Sequence, residues 1–317
     1  MKKFLVLLLF LSQQCFSQNY IDFINQAMKA YSNRNFGLSC EYFEKAFKIE
    51  ALNKHHLYNA AVVASLNKNK EKAFEYLQMS IKQGWDDPVE IIQNDSFSYL
   101  YPFDEWKTNF AEIESKINKK LQKRLLNIYD NDQKIIQKIL STNPNIVNYK
   151  TVYDSLTIIR DSIQNSHLQI ITTVLDSLGF VSKYIVGKKA SQVTFLVIQH
   201  SNLKTQKKYY SLFKNAAENG LFEKRLFALL EDRILVLEKK QQLYGTQLFY
   251  EKSDSTYHFY PISEINSLSQ RRISMGLKSI EEYAVEYGIE WSLNSYFGNL
   301  KKSKKALKKG VENKFIR

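Results

Sequence analysis

The sequence predicts a mainly α-helical protein, in which helical hairpins at the N-terminus precede a helical domain containing one short β-hairpin. Four prolines and ten glycines among 317 residues leave few interruptions for helices. The early part repeats with a period of about 34 residues, and later segments carry apolar residues at helical spacing. The predicted segments are a signal peptide over 1–17, a hairpin-repeat module over 18–122, a helical domain over 123–296 and a basic tail over 297–317.

The first residues have the composition of a cleavable signal peptide. Two lysines precede an apolar run over 4–11, which is far shorter than the roughly 20 residues needed to span a bilayer. Small residues then occupy the −3 and −1 positions of a cut after Ser17. We therefore expect an exported protein, periplasmic or extracellular. The alternatives are a buried N-terminal helix and a lipoprotein lipidated at Cys15, for which the preceding Gln14 is a poor fit.

Export changes the charge and the cysteine count of the mature chain. Loss of the two signal-peptide lysines lowers the formal charge from +13 to +11. Cys40 then remains as the single cysteine, so no intramolecular disulfide is expected. We predict that Cys40 acts as a small buried hydrophobic side chain.

Much of the positive charge lies in the tail over 297–317, which has eight Lys or Arg residues against one Glu. We predict a solvated, frayed end. The alternative is a helix that settles on an anionic envelope surface, since Leu300, Leu307, Val311 and Phe315 fall loosely on one side. Because the charge is local and the protein is expected to be exported, no nucleic-acid partner is expected.

An internal repeat organises the N-terminal part. A shift of the chain by one repeat period pairs small residues with small and large with large, in the pairs Ala27/Ala61, Ala30/Ala64, Ser39/Ala73, Tyr42/Tyr76 and Phe43/Leu77. Over roughly 19–84 this pattern resembles the tetratricopeptide repeat family, whose helical hairpins usually present a groove to a peptide or protein. The resemblance implies a protein or peptide partner. The alternative is that the hairpins only form a platform for the second domain.

Two hairpins need further apolar surface to cover them, and the next segment is expected to supply it. A short helix is predicted over 88–93, because proline is favoured in a first helical turn. After a polar turn, Phe97, Leu100 and Trp106 offer apolar side chains. A longer helix is predicted over about 103–126.

The domain that follows shows helical spacing of apolar residues, which predicts helices over about 152–178, 190–200, 203–217, 222–243 and 280–287. Two short runs, 247–250 and 257–260, flank the polar segment 253–255. That arrangement predicts a β-hairpin with a polar turn.

Polar motifs in this domain resemble an uncharacterised bacterial family described only as a domain of unknown function. The matching pieces include Asp132-Gln133, Gln199-His200, Asp232-Arg233, Gln241, Tyr244-Gly245-Thr246-Gln247 and Arg271-Arg272. The resemblance covers about half of the chain and implies a shared fold and a shared polar site, but no known activity. Two positions depart from the family pattern: Asn202 stands where Asp is frequent, and Phe180-Val181 where Trp-Pro is frequent.

These motifs supply a candidate site around His200. The carbonyl end of a hydrophobic helix favours a protonated imidazole there, and a His near its own pKa suits general acid–base catalysis. Asp232 could orient His200 or accept a proton, so these two are the candidate catalytic residues. The candidate ligand-binding residues are Gln199, Arg233, Tyr244, Gly245, Thr246, Gln247, Arg271 and Arg272.

The same residues allow a binding site, a catalytic site or a purely structural role. The arginines could clamp a carboxylate or phosphate, and Gly245 would let the backbone approach a ligand closely. The leading function is therefore protein or ligand binding in the cell envelope, and the alternative is a hydrolase- or transferase-like enzyme. In the structural role, a buried hydrogen-bond network would only set how the helices and the hairpin meet.

No metal or cofactor is expected. The five histidines are scattered, without a pair at ligand spacing beside a carboxylate. The sequence also contains no paired cysteines, no phosphate-binding Gly-rich loop and no Gly-x-Ser-x-Gly motif.

Overall fold

The computed structural model describes residues 19–50, 53–143 and 145–310, so the predicted signal peptide and the last residues of the basic tail lie outside the described residues. The described chain is mainly helical with a two-stranded antiparallel sheet, which confirms the predicted fold class. It divides into two compact units between Asn118 and Lys119, a few residues before the predicted boundary. Within the described residues, no helix is both long and apolar enough to cross a membrane.

The first unit consists of short helices joined by tight turns. Its elements are α1 (helical over 19–32), α2 (Phe36–Phe47), α3 (Lys54–Leu66), α4 (Lys70–Lys82), α5 (Pro88–Gln93), a 3-10 helix (Asp95–Leu100) and α6 (Asp104–Lys116). The single helix predicted over 103–126 is wrong. Ile117 has an extended backbone and packs against the core of the first unit, which ends α6, and a new helix begins at Lys119.

The turns of the first two hairpins are built alike and lie one repeat period apart. Asn35 and Asn69 each cap the next helix, and each side-chain oxygen accepts a backbone N–H three residues on, at 3.2 and 3.1 Å. The residues before them, Arg34 and Lys68, both have left-handed φ, 56° and 57°. The repeat in the sequence is therefore also a repeat in backbone geometry.

Helix α3 forms the centre of the first unit, with a continuous buried stretch over 60–65. The 3-10 helix covers it, since Phe97 and Leu100 have no exposed surface and share its core. The segment after the repeats therefore covers the second hairpin, as predicted. Cys40 is half-buried against the same core, and burial raises the pKa of its thiol to about 11.

The second unit joins a helical core to a small sheet. Its elements are α7 (Lys119–Leu140), α8 (Tyr149–Leu178), α9 (Lys183–Val186), α10 (Lys188–Gln199), α11 (Leu203–Glu218), α12 (Lys224–Leu237), β1 (Leu248–Glu251), β2 (Thr256–Phe259), a 3-10 helix (Ile265–Ser267), α13 (Leu268–Ser274), α14 (Ile280–Glu286) and α15 (Leu293–Lys309). Apolar residues of α7, α8, α10, α11 and α12 form one core. A smaller core gathers around Phe259 of the predicted β-hairpin.

Helix α12 ends six residues earlier than the sequence predicts, at Leu237. Lys239 adopts a left-handed φ of 60°, and the next amide, that of Lys240, donates to the carbonyl of Leu235 at 2.8 Å. This is a glycine-type helix ending made by a lysine, which gives no stop signal in the sequence. The early ending frees 238–247 to form the turn that leads into β1.

The prediction of a frayed tail is wrong over the described part of the tail. Helix α15 continues to Lys309 and buries Tyr296 and Leu307 against the second unit. Lys302 forms an ion pair with Asp254 at 2.8 Å. The apolar side of the tail is thus turned toward its own domain, because burial there removes it from water. Val311 and Phe315, the other members of that side, lie outside the described residues.

Candidate functional site

The predicted polar residues converge on a tight turn, 243–247, between α12 and β1. Asp232 of α12 is fully buried, and its carboxylate accepts the backbone N–H groups of Leu243, Tyr244 and Thr246 at 2.6, 3.1 and 3.0 Å and the Thr246 hydroxyl at 2.9 Å. Burial raises the pKa of Asp232 to about 6, although these hydrogen bonds favour the ionised form. Asp232 therefore holds the turn. The sequence had suggested instead that Asp232 orients His200.

Arg272 of α13 holds the same turn by its carbonyl groups. It is 2 % exposed, and its Nη1 donates to the Tyr244 carbonyl at 2.5 Å while its Nε donates to that of Lys278 at 2.7 Å. The guanidinium carbon lies 5.2 Å from the centre of the Tyr283 ring, and burial lowers the pKa of Arg272. Asp232 and Arg272 are thus two opposite charges that bind one turn through complementary backbone groups.

Arg271 is used in the same way. Its Nε donates to the Leu243 carbonyl at 2.8 Å, its Nη2 to that of Ser263 at 2.5 Å, and its Nη1 to the Ser267 hydroxyl. A guanidinium fork that clamps a ligand needs its N–H groups directed at the ligand. Arg271 and Arg272, two of the three arginines predicted to clamp a ligand, instead direct their N–H groups at the protein itself, mainly at backbone carbonyls.

Gly245 is required by the protein's own packing. Its φ is +67°, and a Cβ atom there would lie 3.0 Å from Cδ1 of Ile262 and 3.1 Å from Cδ1 of Ile280. A side chain at this position would be strained by both the backbone conformation and the crowding. The expectation that Gly245 admits a ligand is therefore wrong, because isoleucine side chains occupy that space.

The side chains of the turn also bond to the protein. The Tyr244 hydroxyl donates to Glu231 at 2.9 Å, and the other oxygen of that carboxylate accepts the Tyr210 hydroxyl at 2.5 Å. The Tyr283 hydroxyl donates to the Thr246 carbonyl at 2.9 Å. Burial raises the pKa of both Tyr210 and Tyr244, which keeps them as donors at neutral pH.

Two glutamines connect α10, α12 and the hairpin. The side-chain amides of Gln199 and Gln247 both donate to the carbonyl of Leu229, at 3.2 and 3.4 Å. Gln206 of α11 is fully buried and donates to the carbonyls of Gln199 and Ser201, both at 2.9 Å. The side-chain oxygens of Gln199 and Gln206 are buried without a protein donor.

Sequence reasoning missed the glutamine that closes the network. Gln242 has no exposed surface, donates to the carbonyls of Gln247 and Tyr260 at 3.0 and 2.8 Å, and accepts the Gln247 N–H at 2.8 Å. The neighbouring Gln241, chosen from the family resemblance, is exposed. Two adjacent glutamines carry no signal in the sequence for which one faces inward.

His200 and Arg233 lie at the edge of this network. His200 follows the last residue of α10 and is exposed, and Arg233 is partly buried on α12. The surrounding protein and then the charge of Arg233 lower the pKa of His200 below its ordinary value. Both effects favour the neutral imidazole, in the opposite direction to the helix terminus. The helix terminus, worth about 0.3–1 kcal/mol on a surface, does not outweigh these effects.

A second polar cluster lies on the hairpin. His258 Nε2 is 2.9 Å from Asp254 Oδ2 and 3.0 Å from Thr256 Oγ1. A relay that activates a hydroxyl uses the two different nitrogens of the imidazole ring. Here both partners share one nitrogen, so the arrangement anchors the turn and, through the Lys302 ion pair, the helix α15.

A third cluster lies between α7 and α8, and the sequence analysis gave it no role. His167 is 6 % exposed, and its Nδ1 lies 3.2 Å from Asp132 Oδ1. Burial raises the pKa of Asp132, and the neighbouring His167 acts in the opposite direction. The signal available in sequence was Asp132 itself, which belongs to the resembled motifs, but its partner is 35 residues away. Among the described residues, no group of three or more His, Cys, Asp or Glu could hold a metal ion.

The comparison with known families agrees with the motif resemblance. The family of unknown function DUF6624 matches residues 119–292, more than half of the chain. The chain therefore belongs to this family, and the match begins where α7 and the second unit begin. No curated protein and no solved structure matches the chain.

The two departures from the family pattern have structural explanations. Asn202 caps α11, its side chain accepting the Thr205 N–H at 3.0 Å, and Asp and Asn serve equally well as helix caps. Phe180 packs edge-on against Phe213 and Phe222. It thus fills a core position with a large aromatic side chain, as a Trp would. Neither exchange removes a group that the observed geometry uses for chemistry.

Proposed function

We propose that this chain is an exported binding protein in which the helical hairpins of the first unit contact a protein or peptide partner. One observation carries the proposal: the turns at Arg34-Asn35 and Lys68-Asn69 are equivalent and lie one repeat period apart. That spacing and construction support tetratricopeptide-like hairpins, which commonly serve as protein-binding surfaces.

The surface best suited to a partner lies on the first hairpin, because the 3-10 helix already covers α3. Ile21 and Leu38 are 42 % and 37 % exposed. Phe23 and Tyr42 are half-buried and stacked, and the Lys45 ammonium lies 5.1 Å from the centre of the Tyr42 ring. Apolar and aromatic side chains beside a cation suit a partner segment that is apolar with an acidic residue.

Site-specific photo-crosslinking in the intact envelope tests this surface. A photo-reactive residue at Leu38 should give a discrete adduct, and one at Ile81 of α4, which is similarly exposed at 42 %, serves as the matched control. Tyr42→Ala should abolish the Leu38 adduct by removing the aromatic platform. Equal adducts at both positions, or none at Leu38, would contradict the proposed surface.

The export component rests on the two lysines, the apolar run over 4–11 and the small residues before Gln18. Mass spectrometry of the protein from the producing cells should find a mature chain that begins at Gln18. A chain that retains residue 1, or one that begins at a lipidated Cys15, would overturn it. An enzymatic role around His200 stays a prediction. Asp232, Arg271 and Arg272 do not support it, because their side chains bond to backbone groups of the turn.

A further inference from the structure

The groove between α7 and α8 has the volume of a small-molecule site. Its volume is about 500 Å³, within the roughly 300–1,000 Å³ of typical ligand pockets. Residues from both helices line it, among them Lys134, Ile135 and Lys138 of α7 and Ser162, Ser166 and His167 of α8. It belongs to the second unit, so an inference about it is independent of the proposed role of the hairpins.

The ring of His167 is held in one orientation at this groove. Asp132 occupies Nδ1 at 3.2 Å, and the side chain is 6 % exposed, so packing and the hydrogen bond together fix the imidazole. Nε2 has no hydrogen-bond partner among the described residues. It is therefore the ring nitrogen that a molecule in the groove would reach.

The charges along the groove favour an anion. Lys134 and Lys138 lie one turn apart on α7, and both are exposed. Ser162 and Ser166 lie one turn apart on the facing side of α8 and add two hydroxyl groups. Among the described residues that line the groove, none is acidic, and Asp132 is engaged with His167. Two ammonium groups, two hydroxyls and the Nε2–H of a protonated imidazole can all donate to the oxygen atoms of a carboxylate or phosphate.

We propose that this groove binds a small anion, whose carboxylate or phosphate oxygens accept hydrogen bonds from Lys134, Lys138 and the Nε2–H of His167. Because Nδ1–H already donates to Asp132, Nε2 carries a proton only in the imidazolium form of the ring, and that form is the one that binds the anion. Ser162 and Ser166 supply further hydrogen bonds, and Ile135 contributes an apolar floor that admits a short carbon chain. The site is distinct from the turn at 243–247, where Arg271 and Arg272 donate to backbone carbonyls.

Calorimetric and NMR titrations of the full mature chain test the proposal, with inorganic phosphate and succinate as separate probes. We expect saturable binding of at least one probe and a matching shift of the His167 ring resonances. Lys134→Met with Lys138→Met should weaken binding about tenfold or more, because it removes both exposed ammonium groups that pair with the anion. Methionine keeps the apolar stem, so the helix should be retained.

Lys120→Met with Lys123→Met is the matched control, because it removes the same charge from exposed positions of α7 outside the groove. It should leave the affinity within about twofold. The proposal is overturned if neither probe binds, if the two double variants weaken binding equally, or if binding leaves the His167 resonances unmoved. Preference for phosphate or for succinate decides which oxyanion the groove takes.

Discussion

The polar contacts that fix the turns of the two units span different distances along the chain. In the first unit, Asn35 and Asn69 cap helices through contacts three residues away, and the core is formed by small and large apolar side chains at repeating positions. In the second, Asp232 reaches a turn 11 to 14 residues away, and Arg272 reaches the same turn from 27 to 28 residues on the other side. Contacts between residues a few positions apart leave a periodic pattern in the sequence. Contacts over the longer separations of Asp232 and Arg272 leave no such pattern.

The comparison also explains why Asp232 and Arg272 act on the turn at 243–247. A buried carboxylate and a buried guanidinium are costly unless hydrogen bonds satisfy them. Asp232 is satisfied by N–H groups of the turn at 243–247, and Arg272 is satisfied by carbonyls of that turn and of Lys278. Their residue types suggested chemistry, but their partners give them a structural role.

Asp232→Asn is expected to have the largest effect, because it leaves Arg272 buried beside a neutral group and turns amide hydrogens toward backbone donors. We expect a loss of about 3–5 kcal/mol in the free energy of unfolding, measured by urea denaturation. The matched change Asp154→Asn, at an exposed position of α8, should stay within about 0.5 kcal/mol. A small loss at Asp232 would mean that other contacts hold the turn.

Gly245→Ala should rank second. The left-handed backbone costs about 1–2 kcal/mol for alanine, and the crowding against Ile262 and Ile280 adds about 1–3 kcal/mol. Gly276→Ala isolates the first term, since Gly276 has φ +65° and a Cβ there would meet nothing within 4 Å. Thermal melts of the two variants should differ clearly. Equal losses of stability in the two variants would show that Ile262 and Ile280 can move aside without an energetic cost.

Asn35→Ala and Asn69→Ala test whether the two hairpins are energetically equivalent. Each substitution removes one side-chain cap and should cost about 1 kcal/mol, as measured by chemical denaturation. Asn25→Ala, at an exposed position within α1, is the control and should not destabilise, because alanine is the better helix former. Very different costs at Asn35 and Asn69 would break the equivalence of the repeats.

The smallest effect concerns His200. Its folded-state pKa is lowered, so folding favours the neutral ring, and stability should fall as the pH drops below the unfolded value of about 6.5. Arg233→Gln should raise the pKa of His200 in an NMR titration by removing a nearby positive charge. Arg124→Gln, an exposed arginine of α7, removes the same charge and should leave that pKa unmoved. An unchanged titration in Arg233→Gln would exclude the charge of Arg233 as a cause of the lowered pKa.

Much of the fold was predictable because its signals are local. The β-hairpin, the helices over 152–178 and 203–217 and the paired turns of the repeat follow from spacing that a short window contains. Hydrogen bonds connect the motif residues Gln199, Asp232, Thr246 and Gln247 in one network. Polar residues inside otherwise apolar helices need partners, so their presence indicates a meeting point.

Other features could not be predicted, because they depend on partners far away in the chain. The helix ending at Lys239 uses a left-handed lysine, and the basic tail became a docked helix because the second unit offers an apolar surface to Leu307. Gln242 was overlooked since only the turn's carbonyls show that it faces inward. The groove at His167 requires α7 and α8 to lie side by side.

The sequence by itself determined the class of fold, the period of the first unit and the set of polar residues that must be satisfied. Hydrophobic periodicity and turn propensity act over a few residues, so one chain is enough to reveal them. The tertiary structure alone decided what those polar residues do. An Asp that accepts backbone N–H groups and an Asp that faces a ligand are the same letter in the sequence. Only the folded chain shows which donors surround Asp232 and which nitrogen of His167 is left open to the groove.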